Sequence, residues 1–170
     1  MHIYLIGYSY SGKTTLGRQL AKRLNYEFFD TDKAIEIKYH TTIPVFFNRY
    51  GEKAFRIIER QILQSTADLD NAVISTGGGT ACSDDNIHFM LQHGTVVHLQ
   101  MSVEEILTRL AKSHKTRPML KDKEPDELKR FITEQLTARL VYYNQAHLSV
   151  PALHTTAEEL EKVIFKASEE

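Results

Sequence analysis

The segment Gly7–Thr14, Gly-Tyr-Ser-Tyr-Ser-Gly-Lys-Thr, matches the pattern G-x-x-x-x-G-K-[ST]. In such a loop the backbone N–H groups line a concavity at a helix N-terminus, where the helix dipole favours an anion. Lys13 would reach the β- and γ-phosphates of a nucleotide, and the Thr14 hydroxyl would bind Mg²⁺. A chance match in a glycine-containing turn is the alternative, but an apolar stretch precedes the loop and an amphipathic helical pattern follows it. The segment therefore predicts a phosphate-binding loop, with these candidate nucleotide contacts: Tyr10, Ser11, Gly12, Lys13, Thr14 and Thr15.

Two aspartates, Asp30 and Asp32, follow the next apolar stretch and flank a single residue. On an extended chain their side chains leave the backbone on opposite sides, so one carboxylate can face a metal and the other an acceptor. Phosphoryl transfer needs both charge balance for Mg²⁺ and orientation of the attacking hydroxyl. The pair alone is a weak signal, because Asp32 precedes a helical pattern and could be its N-cap.

Three further groups are candidate site residues. The run Gly77–Gly79 follows the third apolar stretch, and consecutive glycines permit positive φ and a close approach of ligand to backbone. Arg56 and Glu59 share a helical face, and Arg139 lies in a later helical pattern. On spacing alone, the first two are equally well explained as a surface ion pair and Arg139 as part of a solvated helix face.

The elements that must position these residues are short apolar strands that alternate with helical patterns, without an internal repeat. The predicted strands are about 2–6, 26–29, 72–76, 94–100 and 148–150. The predicted helices are about 13–24, 32–40, 43–66 with a break near Gly51, 84–93, 102–112, 125–145 and 156–168. Two helix starts carry capping boxes, Ser102 with Glu105 and Thr156 with Glu159. This alternation predicts an α/β fold with a parallel sheet, whose ligands collect at the carboxyl ends of the strands.

The composition excludes several classes of function. The 170 residues carry a net charge of −1, which gives no sign of a nucleic-acid-binding tail or a membrane-surface segment. Cys82 is the only cysteine and the eight histidines lack metal-binding spacing, so neither a disulfide framework nor a zinc site is expected. Met1 runs almost directly into the first strand, which leaves no room for a signal peptide, and no apolar run approaches the ~20 residues that span a bilayer. We expect a cytoplasmic protein without membrane or nucleic-acid partners.

The segment at about 112–124 interrupts the alternation, because it is polar, basic at its start and weakly periodic. It is predicted to be a lid that excludes water when substrates bind, with an ordinary exposed connection as the alternative.

In their order and spacing, these motifs resemble shikimate kinase over most of the chain, from the first strand to about residue 145. The motifs are the phosphate loop, Phe29-Asp30-Thr31-Asp32, Gly51-Glu52-x-x-Phe55-Arg56-x-x-Glu59, Ser75-Thr76-Gly77-Gly78-Gly79, Arg117-Pro118-Met119-Leu120, and Arg139 before a tyrosine pair. The resemblance implies a three-layer α/β/α P-loop kinase fold with the five-stranded parallel sheet of nucleoside-monophosphate-kinase-like proteins. It also implies a single domain over 1–170, with a short lid at about 112–124 and an acceptor-binding helical segment at about 32–60.

The activity that the resemblance implies is transfer of the γ-phosphate of ATP to the 3-hydroxyl of shikimate, with Mg²⁺, by a cytoplasmic monomer. The implied catalytic residues are Lys13, Asp32 and Arg117, with Asp32 orienting or deprotonating the hydroxyl. Arg56 and Arg139 would clamp the shikimate carboxylate, where bidentate guanidinium geometry matters. The other implied roles are Gly78, Gly79 and Phe55 in the acceptor pocket, Glu59 on Arg56, Asp30 with Thr14 at Mg²⁺, Arg117 on the phosphates, and Arg109 against adenine.

Two positions depart from the family pattern. Tyr10 stands where these kinases usually have glycine, so a bulky side chain lies within the phosphate loop. At 150–156 the usual adenine-contacting loop is replaced by Val-Pro-Ala-Leu-His-Thr-Thr, and no residue is assigned a role there.

Two other functions are compatible with parts of the sequence. A related small-molecule kinase could act on gluconate or a nucleotide, although the Arg56 and Arg139 pair suits one carboxylate on a small polyol. An inactive nucleotide-binding paralogue is the other alternative. The presence of Lys13, Thr14 and Asp32 argues against it.

Overall fold

The computed structural model describes residues 1–113 and 124–166. The strands are β1 His2–Ile6, β2 Glu27–Asp30, β3 Ala72–Ser75, β4 Thr95–Gln100 and β5 Leu148–Pro151. The helices are α1 Lys13–Leu24, α2 Thr31–Tyr39, α3 Ile43–Ser65, α4 Asp84–His93, α5 Val103–Lys112, α6 Pro125–Tyr143 and α7 Ala157–Lys166. A short 3₁₀ helix, Thr66–Asp68, follows α3 and was not predicted.

The five strands form one parallel sheet in the order β2-β3-β1-β4-β5. β1 lies at the centre, and all five of its residues are buried, because helices cover both faces of a parallel sheet. Side chains alternate between the faces. Tyr4 packs towards Met90 and Ile132 on the α4–α6 side, whereas Leu5 packs towards Leu20 on the α1 and α7 side. The predicted three-layer α/β/α fold is therefore confirmed.

The sheet register brings three functional segments to one edge. Asp30 at the end of β2 is level with Ser75 at the end of β3, and Ser75 is level with Leu5 of β1. The chain leaves β1 after Ile6 directly into the phosphate loop. These ends meet because parallel strands share their direction, which is the arrangement that the alternating pattern predicted.

The segment α2–α3 forms a small core of its own beside the sheet. Ile35, Phe46, Phe55 and Ile62 pack together and are at most 7% exposed. Gly51 interrupts α3 with φ 80° and ψ 172°, which confirms the predicted break, and the chain resumes the helix that carries Phe55. Both predicted capping boxes are also present.

None of the helices within residues 1–113 and 124–166 is both long enough and apolar enough to cross a lipid bilayer.

Candidate active site

The phosphate loop is folded around the side chain of Lys13, which is only 7% exposed. The Lys13 Nζ donates to the carbonyl oxygens of Gly7 at 2.8 Å and Tyr8 at 2.9 Å, and to Ser11 Oγ at 3.3 Å. Gly7 and Gly12 have φ of 142° and 85°, values that glycine adopts readily and other residues rarely do. The two glycines of the motif are therefore required by the backbone, and the loop holds the lysine amine at the N-terminus of α1.

Tyr10 adopts the left-handed conformation that the usual glycine of the family would take without strain, with φ 70°. Its carbonyl oxygen accepts a hydrogen bond of 2.7 Å from Arg109 Nη1 on α5. The side chain is half-buried and lines the same pocket as Gly12 and Lys13. The bulky residue thus leaves the glycine-type backbone of the loop in place, with its side chain at the pocket wall.

The predicted metal ligands lie side by side. Thr14 Oγ1 donates to Asp30 Oδ2 at 2.8 Å and lies 3.4 Å from Ser75 Oγ. Hydroxyl and carboxylate oxygens are the ligands that Mg²⁺ prefers, and the ion is commonly held by one or two protein groups together with substrate phosphates. The residues present therefore fit Mg²⁺.

The structure corrects the predicted geometry of the aspartate pair. Asp30, not Asp32, is the N-cap of α2, because its carboxylate accepts a hydrogen bond from the Lys33 backbone N–H at 3.0 Å. Asp32 lies in the first turn of that helix and not on an extended chain, so the alternation expected of a strand does not apply. Both carboxylates line one pocket, with Asp32 close to Gly77.

The glycine run owes its composition to close packing and not to positive φ, which the described glycines adopt only at 7, 12 and 51. A methyl group on Gly77 would lie 2.7 Å from Asp32 Oδ1. On Gly78 it would lie 2.8 Å from Ser9 Oγ, and on Gly79 2.7 Å from an Arg56 nitrogen. The run Gly77–Gly79 therefore lies against Asp32, the phosphate loop and Arg56 in turn.

Arg56 belongs to a partly buried network, which overturns its interpretation as a surface ion pair. Its Nη1 lies 2.7 Å from Glu59 Oε2, and the Glu59 side chain is only 2% exposed. The other Glu59 oxygen accepts from Thr80 Oγ1 at 2.7 Å. Burial acts to lower the pKa of Arg56, but the carboxylates of Glu59 and Glu52 together outweigh it and raise that pKa. A charged guanidinium is thus held in a fixed orientation beside Gly79.

Arg139, on α6, approaches the glycine run from the other side. A methyl group on Gly78 would lie 3.3 Å from Arg139 Nη1, and the guanidinium lies over the Tyr8 ring at 5.0 Å from its centroid. The two arginines, which the sequence separates by 83 positions, thus border consecutive glycines.

A pocket of about 390 Å³ opens at this edge of the sheet. Its walls include these predicted residues: Tyr10, Gly12, Lys13, Thr14, Thr15, Asp30, Asp32, Gly78 and Arg109. Ser11 is buried within the loop, whereas Phe55, Arg56, Gly79 and Arg139 lie beside this pocket and not among its lining residues. Arg117 and most of the predicted lid, 114–123, lie outside the described residues.

The sequence did not assign an individual role to several residues of the site. Ser9, Ser75, Thr76, Lys112 and Ser113 also line the pocket. Ser75 and Thr76 are the last two residues of a predicted strand, so topology could have indicated them. No sequence signal indicates Tyr8, which contacts Arg139, or Thr80, which contacts Glu59, the partner of Arg56.

A buried histidine beneath the loop makes stability depend on pH. His98 is 2% exposed and packs against Tyr143, with ring centroids 4.8 Å apart. Burial, together with the charge of Lys13, lowers the pKa of His98 to about 4. Its value in the unfolded chain is about 6.5, so the unfolded state binds the proton first as pH falls. This contribution to the free energy of unfolding is complete above pH of about 6.5 and is lost progressively towards pH 4, up to about 3 kcal/mol.

We therefore expect His98→Leu to lose stability less steeply than the parent between pH 6.5 and 4.5. The measurement is denaturant unfolding at a series of pH values, with the exposed His88→Gln as a matched control. Equal pH slopes for the parent and His98→Leu would contradict the assignment.

The fold and this site define a class, the P-loop kinases that move a phosphoryl group to a small acceptor. Residues 10–168 match the sequence model of the shikimate kinase family. The chain therefore belongs to the shikimate kinase family, as the motifs predicted. A shikimate kinase of Parabacteroides distasonis is 43% identical over 150 residues, which cover 88% of this chain and 87% of the relative.

Solved structures agree with this assignment. The shikimate kinase of Bacteroides thetaiotaomicron superposes with a TM-score of 0.87 at 38% identity, covering 99% of this chain and 97% of the other. The shikimate kinase of Acinetobacter baumannii, solved in complex with shikimate, gives a TM-score of 0.86 at 35% identity and covers 99% of this chain and 92% of the other. A gluconate- or nucleotide-type kinase and an inactive paralogue are correspondingly disfavoured.

Proposed function

We propose that this protein transfers the γ-phosphate of ATP to the 3-hydroxyl of shikimate, giving ADP and shikimate 3-phosphate for aromatic amino-acid synthesis. The observation that carries the proposal is the shared glycine run, which has the phosphate loop on one side and Arg56 and Arg139 next to it. The shikimate complex of the Acinetobacter baumannii relative supports the choice of acceptor.

The donor half of the proposed site is the phosphate loop with α5. The amine of Lys13 leaves the loop carbonyls to contact the β- and γ-phosphates, and the backbone of the loop surrounds them. The proposed nucleotide contacts are Tyr10, Ser11, Gly12, Lys13, Thr14, Thr15 and Arg109. Bound Mg²⁺ would neutralise charge on the phosphates, and Thr14 with Asp30 would hold it.

The acceptor half is the glycine run with α2, α3 and α6. Arg56 and Arg139 receive the shikimate carboxylate by charge-assisted hydrogen bonds, which are stronger than neutral ones. Gly78 and Gly79 offer backbone without a Cβ, and Phe55 supplies an apolar wall. Asp32, beside Gly77, accepts a hydrogen bond from the 3-hydroxyl of shikimate. This contact directs the hydroxyl oxygen at the γ-phosphorus.

The reaction then needs little covalent work by the protein. The 3-hydroxyl oxygen attacks the γ-phosphorus, the bond to the β-phosphate oxygen breaks, and the hydroxyl proton passes to Asp32. Lys13 stabilises the charge that builds up on the transferred group and on the leaving ADP. Most of the rate enhancement comes from holding the two substrates next to each other and from the fixed charge of Lys13, that is, from proximity and electrostatic preorganisation.

Two parts of this proposal rest on the resemblance. We propose that the helical segment at about 32–60 binds the acceptor and that a lid at about 112–124 brings Arg117 to the phosphates. Arg117 lies outside the described residues, so its catalytic role is carried by the motif alone. The enzyme is proposed to act as a cytoplasmic monomer over residues 1–170, without nucleic-acid or membrane partners.

The acceptor is tested by a coupled assay of ADP release in which shikimate, gluconate and nucleoside monophosphates are offered in turn with ATP and Mg²⁺. We expect ADP release with shikimate and with none of the other acceptors. Turnover with gluconate or a nucleotide, and none with shikimate, would overturn the proposal.

Removing either arginine is expected to raise the KM for shikimate by about 10–100-fold while changing the KM for ATP little. The reason is that Arg56→Ala or Arg139→Ala each deletes charged hydrogen bonds to the acceptor carboxylate. Arg60→Ala is a matched control on the same helix as Arg56, because Arg60 forms an exposed ion pair with Asp85. Variants that altered the KM for ATP alone would disprove the carboxylate clamp.

A further inference from the structure

The guanidinium of Arg139 packs on the ring of Tyr8, a residue of the phosphate loop. Tyr8, the second residue of that loop, presents its ring to the guanidinium at 5.0 Å, a distance suited to a cation–π interaction. The Tyr8 hydroxyl donates to Gln135 Oε1, one helical turn before Arg139 on α6. The side chain is 6% exposed. The ring is therefore fixed at both ends, by its own loop and by the helix that carries the arginine.

A second tyrosine, one turn beyond Arg139 on α6, fixes the glycine run. The hydroxyl of Tyr143 donates to the carbonyl oxygen of Gly78, and the side chain is fully buried. Burial raises the pKa of Tyr143 far above its ordinary value, with Cys82 acting in the same direction and Arg139 in the opposite one. The hydroxyl therefore remains a neutral hydrogen-bond donor across the usable pH range.

The two contacts converge on Gly78 and Arg139, the groups that the proposed function places at the acceptor carboxylate. Gly78 lies between Ser9 of the phosphate loop and Arg139, close enough that a methyl group on it would be 2.8 Å from Ser9 Oγ and 3.3 Å from Arg139 Nη1. A shift of the Gly78 carbonyl or of the Tyr8 ring would change the distance between the phosphate loop and Arg139.

We propose that Tyr8 and Tyr143 are positioning residues for the acceptor, which set Arg139 and Gly78 relative to the phosphate loop. This inference rests on the proposed function, in which Arg139 binds the shikimate carboxylate. Neither tyrosine needs to touch shikimate, because each acts through a group that does. The acceptor clamp is in this way built partly on the loop that binds the donor.

The first test is Tyr143→Phe, which keeps the ring and removes the hydroxyl. The KM for shikimate is expected to rise about tenfold, because the Gly78 carbonyl loses its buried partner and relaxes, while the KM for ATP stays within about twofold. Tyr4→Phe is the matched control, since Tyr4 is also fully buried and its hydroxyl bonds Thr66 Oγ1 at 3.0 Å. Tyr4→Phe should lower the melting temperature by a similar amount and leave both KM values unchanged.

The second test uses Tyr8, and it remains informative if Tyr143→Phe does not fold. Tyr8→Leu removes the aromatic face and should raise the KM for shikimate about fivefold, whereas Tyr8→Phe, which keeps that face, should recover most of the affinity. In an Arg139→Ala background, Tyr8→Leu should have no further effect, because the group through which it acts is gone.

The outcomes separate this inference from the function on which it rests. If the parent does not phosphorylate shikimate, or if Arg139→Ala leaves its KM unchanged, the proposed function fails. If Arg139→Ala raises the KM and both Tyr143→Phe and Tyr8→Leu match the Tyr4→Phe control, only the positioning roles are overturned.

Discussion

Replacing Lys13 with methionine is expected to reduce kcat for shikimate phosphorylation by about 10²–10³-fold, the usual effect of removing one preorganised donor from a transition state. Methionine is similar in length to lysine and fills the same buried space, so the change isolates the charge. The Lys13 side chain is 7% exposed, so its attraction to the transferred phosphoryl group is weakly screened by water. Three hydrogen bonds to the loop already hold the amine near the position at which it acts.

The Lys13→Met experiment compares steady-state kcat and the two KM values with those of Lys22→Met, an exposed lysine in the last turn of the same helix. The control should be unchanged. Because the Lys13 amine also bonds two loop carbonyls, the melting temperature and the nucleotide dissociation constant are measured alongside kcat. A kcat within about tenfold of the parent, in a folded variant that binds ATP, would contradict the role of Lys13 in the transition state.

The fold was predictable because its signals are local. Tyr4 and Leu5 lie in a short apolar run bounded by a glycine, as expected for a strand covered on both faces. Ser102 and Glu105 specify a helix start through groups three residues apart. Gly51, placed within a helical pattern, marked the break in α3. In each case the physics that shapes the element acts between neighbours in the sequence.

The geometry of the aspartates depended on a choice that the sequence leaves open. Either Asp30 or Asp32 can be the N-cap of the helix that follows. The helix begins two residues later in the second case, so the direction of each carboxylate differs between the two cases. Strand pairing decides between them, because Asp30 is held level with Ser75 at the edge of the sheet and the chain turns immediately after it. A long-range contact thus fixes a local feature.

The supports of the arginine clamp could not be predicted for a related reason. Tyr8 and Gln135 are 127 positions apart, and nothing in the sequence near either residue indicates the other. Tyr143 lies in an apolar helical pattern, where an aromatic residue normally belongs to the core, and it does belong to the core. Only the hydroxyl, directed at Gly78, connects it to the site.

Replacing Asp32 with asparagine is expected to lower kcat by about 10²–10⁴-fold, the range by which a positioned general base accelerates a proton transfer. Asparagine has the same shape and still offers one oxygen to the 3-hydroxyl, but it cannot take up the proton. The position supports this role, because Asp32 lines the pocket with Lys13 and Thr14 and lies beside Gly77.

The matched control for Asp32 is Asp126→Asn. Asp126 is the second residue of α6, as Asp32 is of α2, so both variants remove a favourable negative charge from the first turn of a helix. Asp126 is exposed and is not among the residues that line the pocket. A fall in kcat that is specific to Asp32→Asn, with the KM for shikimate within a few-fold of the parent, would identify a base. A raised KM for shikimate, with kcat reduced less than about tenfold, would instead show that Asp32 only orients the hydroxyl. The hydroxyl proton would then leave with the phosphoryl group or pass to water.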